Sequence, residues 1–275
     1  MGVTKFFKIV IPDKNQTFGS LGDEITLKSL GKFTLAIDAS YVIYNSATAT
    51  SSMSYEGKTT AHIAIILKKV LMFAKMGIEQ IWVFDNPTRN PLKQERPVSD
   101  DRFRMTSEHV YEVQKLLHLL GQLYIIAPPG IEAEHLAAAL TRHGLCEYVL
   151  SGDSDVLMFG GNLLMQDRNK PGKYKTYNYD RLLLASQLSR EDLLKCGVIM
   201  GCDFCDGTPR VAERTVIKKY KTVVLTDQQL RAMDEYDKPA QIDVAEHVQG
   251  TLNLEGVDAF LKARNFKVYN LDVLK

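Results

Sequence analysis

The chain has 275 residues, of which 45% are hydrophobic and 24% are charged, and its formal net charge at pH 7 is +1. This composition indicates a soluble globular protein with one large domain, or one domain with a small appendage. No stretch approaches the roughly 20 apolar residues of a membrane span, and the N-terminus has no apolar signal-peptide core, so we expect an intracellular protein without a membrane segment.

Short apolar runs alternate with helical stretches, a pattern that predicts parallel strands joined by crossover helices. The apolar runs lie at residues 34–37, 81–84, 123–126 and 148–150. Helical spacing covers residues 59–76, 102–120, 132–142 and 189–201, with Ser189 as a cap of the last helix. A polar loop interrupted by prolines covers residues 86–101.

The remaining segments are less regular. Residues 173–179 alternate like an exposed hairpin strand, and residues 226–250 are polar and weakly patterned. We predict an α/β fold with a central, mostly parallel sheet flanked by helices. The sheet domain spans residues 1–200, and residues 201–275 form a helical extension that closes the core.

Seven carboxylates carry the main chemical signal, and six of them come soon after an apolar run. They are Asp38, Asp85, Glu132, Glu134, Asp153, Asp155 and Asp203. In parallel sheets, ligands bind outside the carboxyl ends of the strands, so these acids are expected to meet at one place. Clustered anions are unfavourable without cations, and oxygen ligands favour Mg²⁺ or Mn²⁺. Two such ions in a carboxylate cluster form an arrangement that cuts phosphodiester bonds.

With these seven acids set aside, the rest of the chain is net basic, and its basic residues occur in groups. The groups are Lys68 and Lys69; Arg89, Lys93, Arg96, Arg102 and Arg104; Arg168, Lys170, Lys173 and Lys175; and Arg210, Arg214, Lys218, Lys219 and Lys221. Each group is either an ordinary solvated face or part of a phosphate-binding surface.

Cys202 and Cys205 flank Asp203 in a C-x-x-C pattern. A zinc site needs further paired ligands at suitable spacing, and the sequence has none. We interpret the cysteines as buried structural thiols in a reducing compartment.

The acids and their neighbours resemble the flap endonuclease family of XPG-type 5′ nucleases. The matching stretches are residues 1–7, Ala36-Ile37-Asp38-Ala39-Ser40, residues 56–62 through Asp85, Glu132-Ala133-Glu134, Gly152-Asp153-Ser154-Asp155, and Met200-Gly201-Cys202-Asp203. The resemblance covers most of the chain. It implies a metal-dependent 5′ nuclease that cuts branched or nicked DNA with two Mg²⁺ ions, for which Mn²⁺ can substitute.

The resemblance also implies roles for individual residues. All seven acids would be metal ligands, directly or through water. Lys93 would be the catalytic lysine, and Arg102 or Arg104 the catalytic arginine of the arch. Gly2 and Tyr44 would contact the nucleic acid, Tyr44 by stacking on a base. The expected partner is DNA with a 5′ end at a flap, nick or gap, bound by a monomer.

Three departures from the family pattern keep alternatives open. The arch region, residues 86–121, is short, and no clamp-binding motif is present. Arg210 and Ala212 replace the glycines of a DNA-binding turn, so Arg210, Arg214, Lys218 and Lys219 are the candidate duplex contacts. The alternatives are an exoribonuclease or RNase H-like enzyme acting on RNA, and a catalytically silent DNA-binding protein.

Overall fold

The computed structural model describes residues 2–11, 16–49, 54–55, 58–93, 105–167, 169–266 and 270–274. The strands within these residues are β1 (Val10–Ile11), β2 (Gln16–Thr17), β3 (Asp23–Ile25), β4 (Thr34–Asp38), β5 (Ser54–Tyr55), β6 (Lys58–Thr59), β7 (Glu79–Phe84), β8 (Leu123–Ile126), β9 (Tyr148–Leu150), β10 (Leu163–Gln166), β11 (Tyr174–Tyr177) and β12 (Glu246–Gln249). The α-helices are α1 (Ala39–Ala49), α2 (Ala61–Lys75), α3 (Ser107–Leu119), α4 (Ala133–Arg142), α5 (Asp155–Met158), α6 (Tyr179–Ser186), α7 (Arg190–Met200), α8 (Val216–Lys219), α9 (Asp227–Asp237) and α10 (Leu254–Lys262).

A central sheet of eight strands has the order β12-β8-β7-β4-β9-β10-β11-β3. The five middle strands run parallel to one another; they are β8, β7, β4, β9 and β10. At the two sides of the sheet, β12, β11 and β3 pair antiparallel with their neighbours. The four apolar runs of the sequence form β4, β7, β8 and β9, so the predicted sheet and its mostly parallel character are confirmed.

Two apolar layers lie on the two faces of the sheet, because successive strand residues point to opposite sides. In β4, Leu35 and Ile37 join the layer that contains α1, α2, α3 and α10, whereas Ala36 joins the layer that contains α4, α5, α7 and α9. The helices therefore cover both faces, as crossover connections between parallel strands require.

Two helix boundaries agree with the sequence signals. Ser189 accepts a hydrogen bond from the Asp192 N–H, and the Asp192 side chain bonds back to Ser189, which completes a capping box at α7. Gly77 follows α2 with a φ of 68°, a backbone conformation that glycine adopts easily. Of the helix predicted at 102–120, residues 107–119 form α3, whereas residues 105 and 106 are not helical. Residues 102–104 lie outside the described residues.

The strand predicted within residues 173–179 is present as β11 and forms a hairpin with β10, but the expectation that it is exposed is wrong. β11 pairs with β10 on one side and with β3 on the other, and Tyr174, Thr176 and Tyr177 are buried. The polar stretch 226–250 contains α9 and the edge strand β12, so the C-terminal extension also adds a strand to the central sheet. Among the described residues, no helix is both long and apolar enough to cross a membrane.

Candidate metal centre

Asp38 is the last residue of β4, in the middle of the sheet. Its Oδ1 accepts the backbone N–H of Tyr41 at 2.9 Å, in the first turn of α1. Its Oδ2 accepts the hydroxyl of Ser151 at 2.8 Å, just beyond the end of β9. The Asp38 carboxylate is therefore held at the carboxyl edge of two neighbouring parallel strands.

Asp85 directly follows β7, the neighbour of β4 on the other side. Its Oδ2 accepts the Ser40 hydroxyl at 2.6 Å, and its Oδ1 accepts the backbone N–H of Ala133 at 2.9 Å. The second bond joins this strand end to the start of α4, which carries the next two acids.

Glu132 and Glu134 lie at the beginning of α4, Glu132 at the N-cap position and Glu134 in the first turn. Both side chains are buried. A helix N-terminus carries partial positive charge, which favours acids there, but this effect is small compared with the cost of burying two carboxylates.

Asp153 and Asp155 lie in the tight turn that leads from β9 into α5. The Asp153 N–H donates to Ser151 Oγ at 3.1 Å, and Asp153 Oδ1 accepts the Asp155 N–H at 3.0 Å. Ser151 therefore links this turn to Asp38. The turn is held by its own polar groups, and both carboxylates are buried.

Gly2 packs directly against these two carboxylates. Its φ is 78°, and a Cβ added to it would lie 2.6 Å from Asp155 Oδ1 and well inside 3.0 Å of Asp153 Oδ1. The next residue fixes this approach, because the Val3 N–H donates to Ser154 Oγ at 3.1 Å. The structure thus places the N-terminal segment against the acids.

Asp203 follows α7 and is buried in a small loop closed by an antiparallel bridge between Cys202 and Cys205. The two Sγ atoms are 3.4 Å apart, and both thiols are buried. The cysteines thus shape the loop that presents Asp203, in line with their interpretation as structural residues.

Burial makes this cluster costly when no cation neutralises it. Burial, and next the neighbouring Asp85, raise the pKa of Asp38 to about 7. Burial and neighbouring acids raise the pKa values of Glu134 and Asp155 well above their ordinary range. Desolvation also raises the pKa values of Glu132 and Asp153. Raised carboxylate pKa values indicate a site that favours bound positive charge.

Lys93 supplies one such charge. Its ammonium group bonds Glu132 and lies 3.8 Å from Asp203 Oδ2. Burial alone would lower the pKa of Lys93, but the carboxylates of Glu132, Glu134 and Asp203 outweigh burial and raise it. The lysine predicted to be catalytic therefore lies inside the acidic cluster and is firmly protonated.

The donor set fits a hard divalent cation, because every candidate ligand is a carboxylate oxygen. Asp155 Oδ1 is buried and has no hydrogen-bond partner among the described residues, as expected of an atom left free for an ion. No group of three or more His, Cys, Asp or Glu side chains in the described part of the chain is already arranged around one ion.

The other predicted residues lie outside this cluster or outside the described residues. Tyr44 is on α1 and is 36% exposed. Arg102 and Arg104 fall in the stretch 94–104, which the structure does not describe. Four basic residues at and before α8 are exposed, and Arg210 has a φ of 63°, the left-handed conformation usually taken by glycine. These four are Arg210, Arg214, Lys218 and Lys219.

Two histidines, His62 on α2 and His135 on α4, are held by contacts within the fold. His62 Nε2 bonds Glu112 at 2.9 Å. His135 stacks on Phe159 at 4.1 Å between ring centroids, and burial lowers its pKa to about 4. At neutral pH His135 is uncharged and held in the core.

Residues at the end of α9 also contact the acidic cluster, although none of them was among the predicted site residues. The hydroxyl of Tyr236 donates to Asp155 Oδ2 at 2.8 Å. Glu235 Oε1 accepts the Asn90 side-chain N–H at 2.6 Å, and the Asn90 carbonyl accepts the Lys93 backbone N–H at 3.1 Å. The available sequence signal was weak: Ala232 and Tyr236 share one helix face within an otherwise polar stretch.

Comparison with known protein families gives two matches, separated by residues 105–120. The description "XPG N-terminal domain" matches residues 1–104, and "XPG I-region" matches residues 121–203. All seven acids lie within these two ranges, whereas α8, α9, β12 and α10 lie beyond them.

Curated relatives include flap endonuclease 1 of Methanoregula boonei, 30% identical over 68% of this chain and 69% of the relative. Flap endonuclease 1 of Aedes aegypti is 27% identical over 69% of this chain. This chain spans about 60% of the Aedes aegypti protein and 62% of the Theileria parva flap endonuclease 1.

Solved structures share the fold. The catalytic core of Rad2 in complex with DNA substrate has a TM-score of 0.75 at 22% identity, with 96% of this chain and 95% of that chain covered. Flap endonuclease-1 from Methanococcus jannaschii has a TM-score of 0.75 at 19% identity, covering 94% of this chain and 95% of that one. At these identities the likeness establishes the fold.

Proposed function

The chain belongs to the XPG-type flap endonuclease family, and from that premise we propose that it is a divalent-metal-dependent, structure-specific 5′ nuclease. Its substrate is DNA with a 5′ end at a flap, nick or gap. The observation that carries the proposal is the gathering of buried carboxylates around a protonated lysine at the carboxyl edge of a parallel sheet. An acidic cluster beside DNA would hinder a protein that only bound DNA, since both are negatively charged.

The seven acids hold two Mg²⁺ ions in this proposal. Mg²⁺ ions held there would lower the pKa of the attacking water and would stabilise the leaving oxygen of the phosphodiester. The protein keeps the carboxylates at the strand ends through Tyr41, Ser40 and Ser151, whose donors bond Asp38 and Asp85. A GEN1 structure of this fold holds product DNA with Mg²⁺ and Mn²⁺, and we extend that metal use to this chain.

In this proposal, the scissile phosphate approaches the acids beside the Lys93 ammonium group, which bonds Glu132 and lies 3.8 Å from Asp203 Oδ2. The role of Lys93 is to neutralise the negative charge that develops on the phosphate as the bond breaks. Because Lys93 bonds Glu132 when no substrate is bound, it also offsets the repulsion within the cluster. Arg102 or Arg104 supplies a second positive charge from the arch region in this proposal.

The exposed basic residues around α8 bind the duplex. Arg210, Arg214, Lys218 and Lys219 face solvent and therefore can reach phosphates without losing partners in the core. Such contacts give affinity without sequence specificity, as a structure-specific nuclease requires. Gly2 and Tyr44 complete the proposed nucleic-acid contacts, Tyr44 by stacking on a base.

A cleavage assay with labelled substrates tests the function. Four substrates are compared at equal concentration with Mg²⁺: a 5′ flap, a nicked duplex, a blunt duplex and a 5′-phosphorylated RNA. We expect fast cutting of the flap and nick, and no cutting in excess EDTA. Preferred cutting of the RNA would favour an exoribonuclease instead.

Paired variants show whether the acids carry the activity. Asp153→Asn is expected to abolish cleavage, because it removes a candidate metal ligand at nearly constant volume. Asp180→Asn removes an exposed acid at the start of α6 and serves as the control. DNA binding without cleavage by the wild-type chain under all metal conditions would instead favour a silent binding protein.

A further inference from the structure

The end of α9 reaches into the acidic cluster from a segment that lies beyond both family matches. Tyr236 is fully buried, and its hydroxyl donates to Asp155 Oδ2 at 2.8 Å. The other oxygen of the same carboxylate, Oδ1, is buried and has no hydrogen-bond partner among the described residues. One oxygen of Asp155 is therefore fixed, and the other is free.

The surroundings of Tyr236 leave its ring little room to move. The ring packs against Phe159 at 4.9 Å and against Phe204 at 5.2 Å between centroids. Its backbone carbonyl accepts a bond from Arg190 Nη2 at 2.8 Å. Its hydroxyl also hydrogen-bonds Cys202, the residue before Asp203. One phenol thus connects the turn that carries Asp155 with the loop that carries Asp203.

We propose that Tyr236 is a positioning residue for the metal centre, which holds Asp155 through Oδ2 so that Oδ1 faces a bound divalent cation. This inference depends on the proposed function in one respect, because it requires a divalent cation to bind at the acidic cluster. A hydrogen bond to one carboxylate oxygen fixes the rotation of the carboxylate and leaves the second oxygen to act as a monodentate ligand. Hydrogen-bond partners of metal ligands commonly change metal affinity by about 10- to 100-fold.

The test measures Mn²⁺ binding without DNA, by electron paramagnetic resonance or calorimetry. Tyr236→Phe keeps the ring and removes only the hydroxyl, and it is expected to weaken Mn²⁺ binding about 10- to 100-fold. Tyr220→Phe is the matched control, because Tyr220 also bonds a carboxylate, that of Asp192, away from the acids. Cleavage by Tyr236→Phe should recover at high Mn²⁺, since the substitution acts through ion binding.

Equal Mn²⁺ affinity in Tyr236→Phe and Tyr220→Phe would overturn the inference and leave the proposed nuclease untouched. Mn²⁺ binding by the wild type without cleavage of any substrate would overturn the nuclease and leave the positioning role standing. Absence of Mn²⁺ binding by the wild type would overturn both.

A second measurement covers the case in which Tyr236→Phe does not fold. The chain is prepared with 3-fluorotyrosine in place of Tyr236 alone, which keeps the hydroxyl and nearly the same shape. Its single fluorine resonance is expected to shift as Mg²⁺ is added, because the bonded carboxylate becomes a metal ligand. An unchanged resonance at saturating Mg²⁺ would overturn the inference.

Discussion

The approach of Gly2 to the acids makes Gly2→Ala a sensitive test of the site. The residue has a φ of 78°, and an added Cβ would come within 3.0 Å of Asp153 Oδ1, closer than real Cβ contacts. Asp153 cannot simply rotate away, because its Oδ1 accepts the Asp155 N–H at 3.0 Å. The methyl group must therefore displace either the carboxylate or the N-terminal segment.

Two costs follow from this geometry, and they can be separated. The left-handed backbone at an alanine costs on the order of 1 kcal/mol of folding free energy. Moving a carboxylate by about 1 Å costs up to about 100-fold in rate, because catalytic groups must be held in near-attack geometry. Gly144→Ala isolates the first cost, since Gly144 follows α4 with a φ of 69° and its added Cβ meets nothing within 4 Å.

The assay is single-turnover cleavage of a 5′ flap, with melting temperature measured on the same samples. Both alanine variants should lose the backbone cost of about 1 kcal/mol, and Gly2→Ala should lose more because its methyl group also clashes with the acids. Gly2→Ala alone should cut about 100-fold more slowly. If the two variants cut at rates within a few-fold of each other, Gly2 does not control the position of Asp153, and the reasoning fails.

Three further predictions concern charge. Lys93→Ala should lower the single-turnover rate far more than it weakens DNA binding, because Lys93 acts on charge that develops in the transition state. Equal losses of rate and of DNA affinity would contradict this role. In EDTA, the stability of the wild type should fall as pH rises from about 4 to about 7, because over that window folded Asp38, with its pKa raised to about 7, keeps a proton that the unfolded chain has lost. The stability of Asp38→Asn, measured by thermal melting at each pH, should fall less over this pH range than that of the wild type. If both proteins lose stability in parallel, Asp38 is not the group with the raised pKa. Reversing the charge of the exposed basic residues around α8 should weaken DNA binding and flatten its salt dependence, measured by fluorescence anisotropy at several salt concentrations. The residues to be reversed are Arg210, Arg214, Lys218 and Lys219. If the slope of binding affinity against salt concentration stays unchanged, these residues do not contact phosphates.

Four strands of the central sheet could be predicted because they are short apolar runs, each followed by an acid. Burial on both faces makes such strands continuously apolar, so β4, β7, β8 and β9 are visible in the sequence without any partner. The placement of Asp38 and Asp85 side by side followed from the rule that ligands bind at the carboxyl ends of parallel strands.

Other parts could not be predicted because their burial depends on distant residues. β11 contains Lys175 between buried residues, and only pairing with β10 and β3 on its two sides puts it inside the sheet. Tyr236 lies in a polar stretch, and its bond to Asp155 joins residues 81 positions apart. A local pattern carries no information about such a contact.

The edge strand β12 has a consequence for the order in which the protein can assemble during synthesis. It pairs antiparallel with β8, whose opposite side carries β7, so residues 246–249 cover what is otherwise an open sheet edge. A nascent or truncated chain that stops near residue 240 exposes the unpaired N–H and C=O groups of β8, a template for aggregation. Such a chain already contains all seven acids of the cluster, but the edge of its central sheet at β8 is unpaired. We therefore expect soluble yield to fall sharply when the chain is cut before β12, even though no residue of the metal centre is removed.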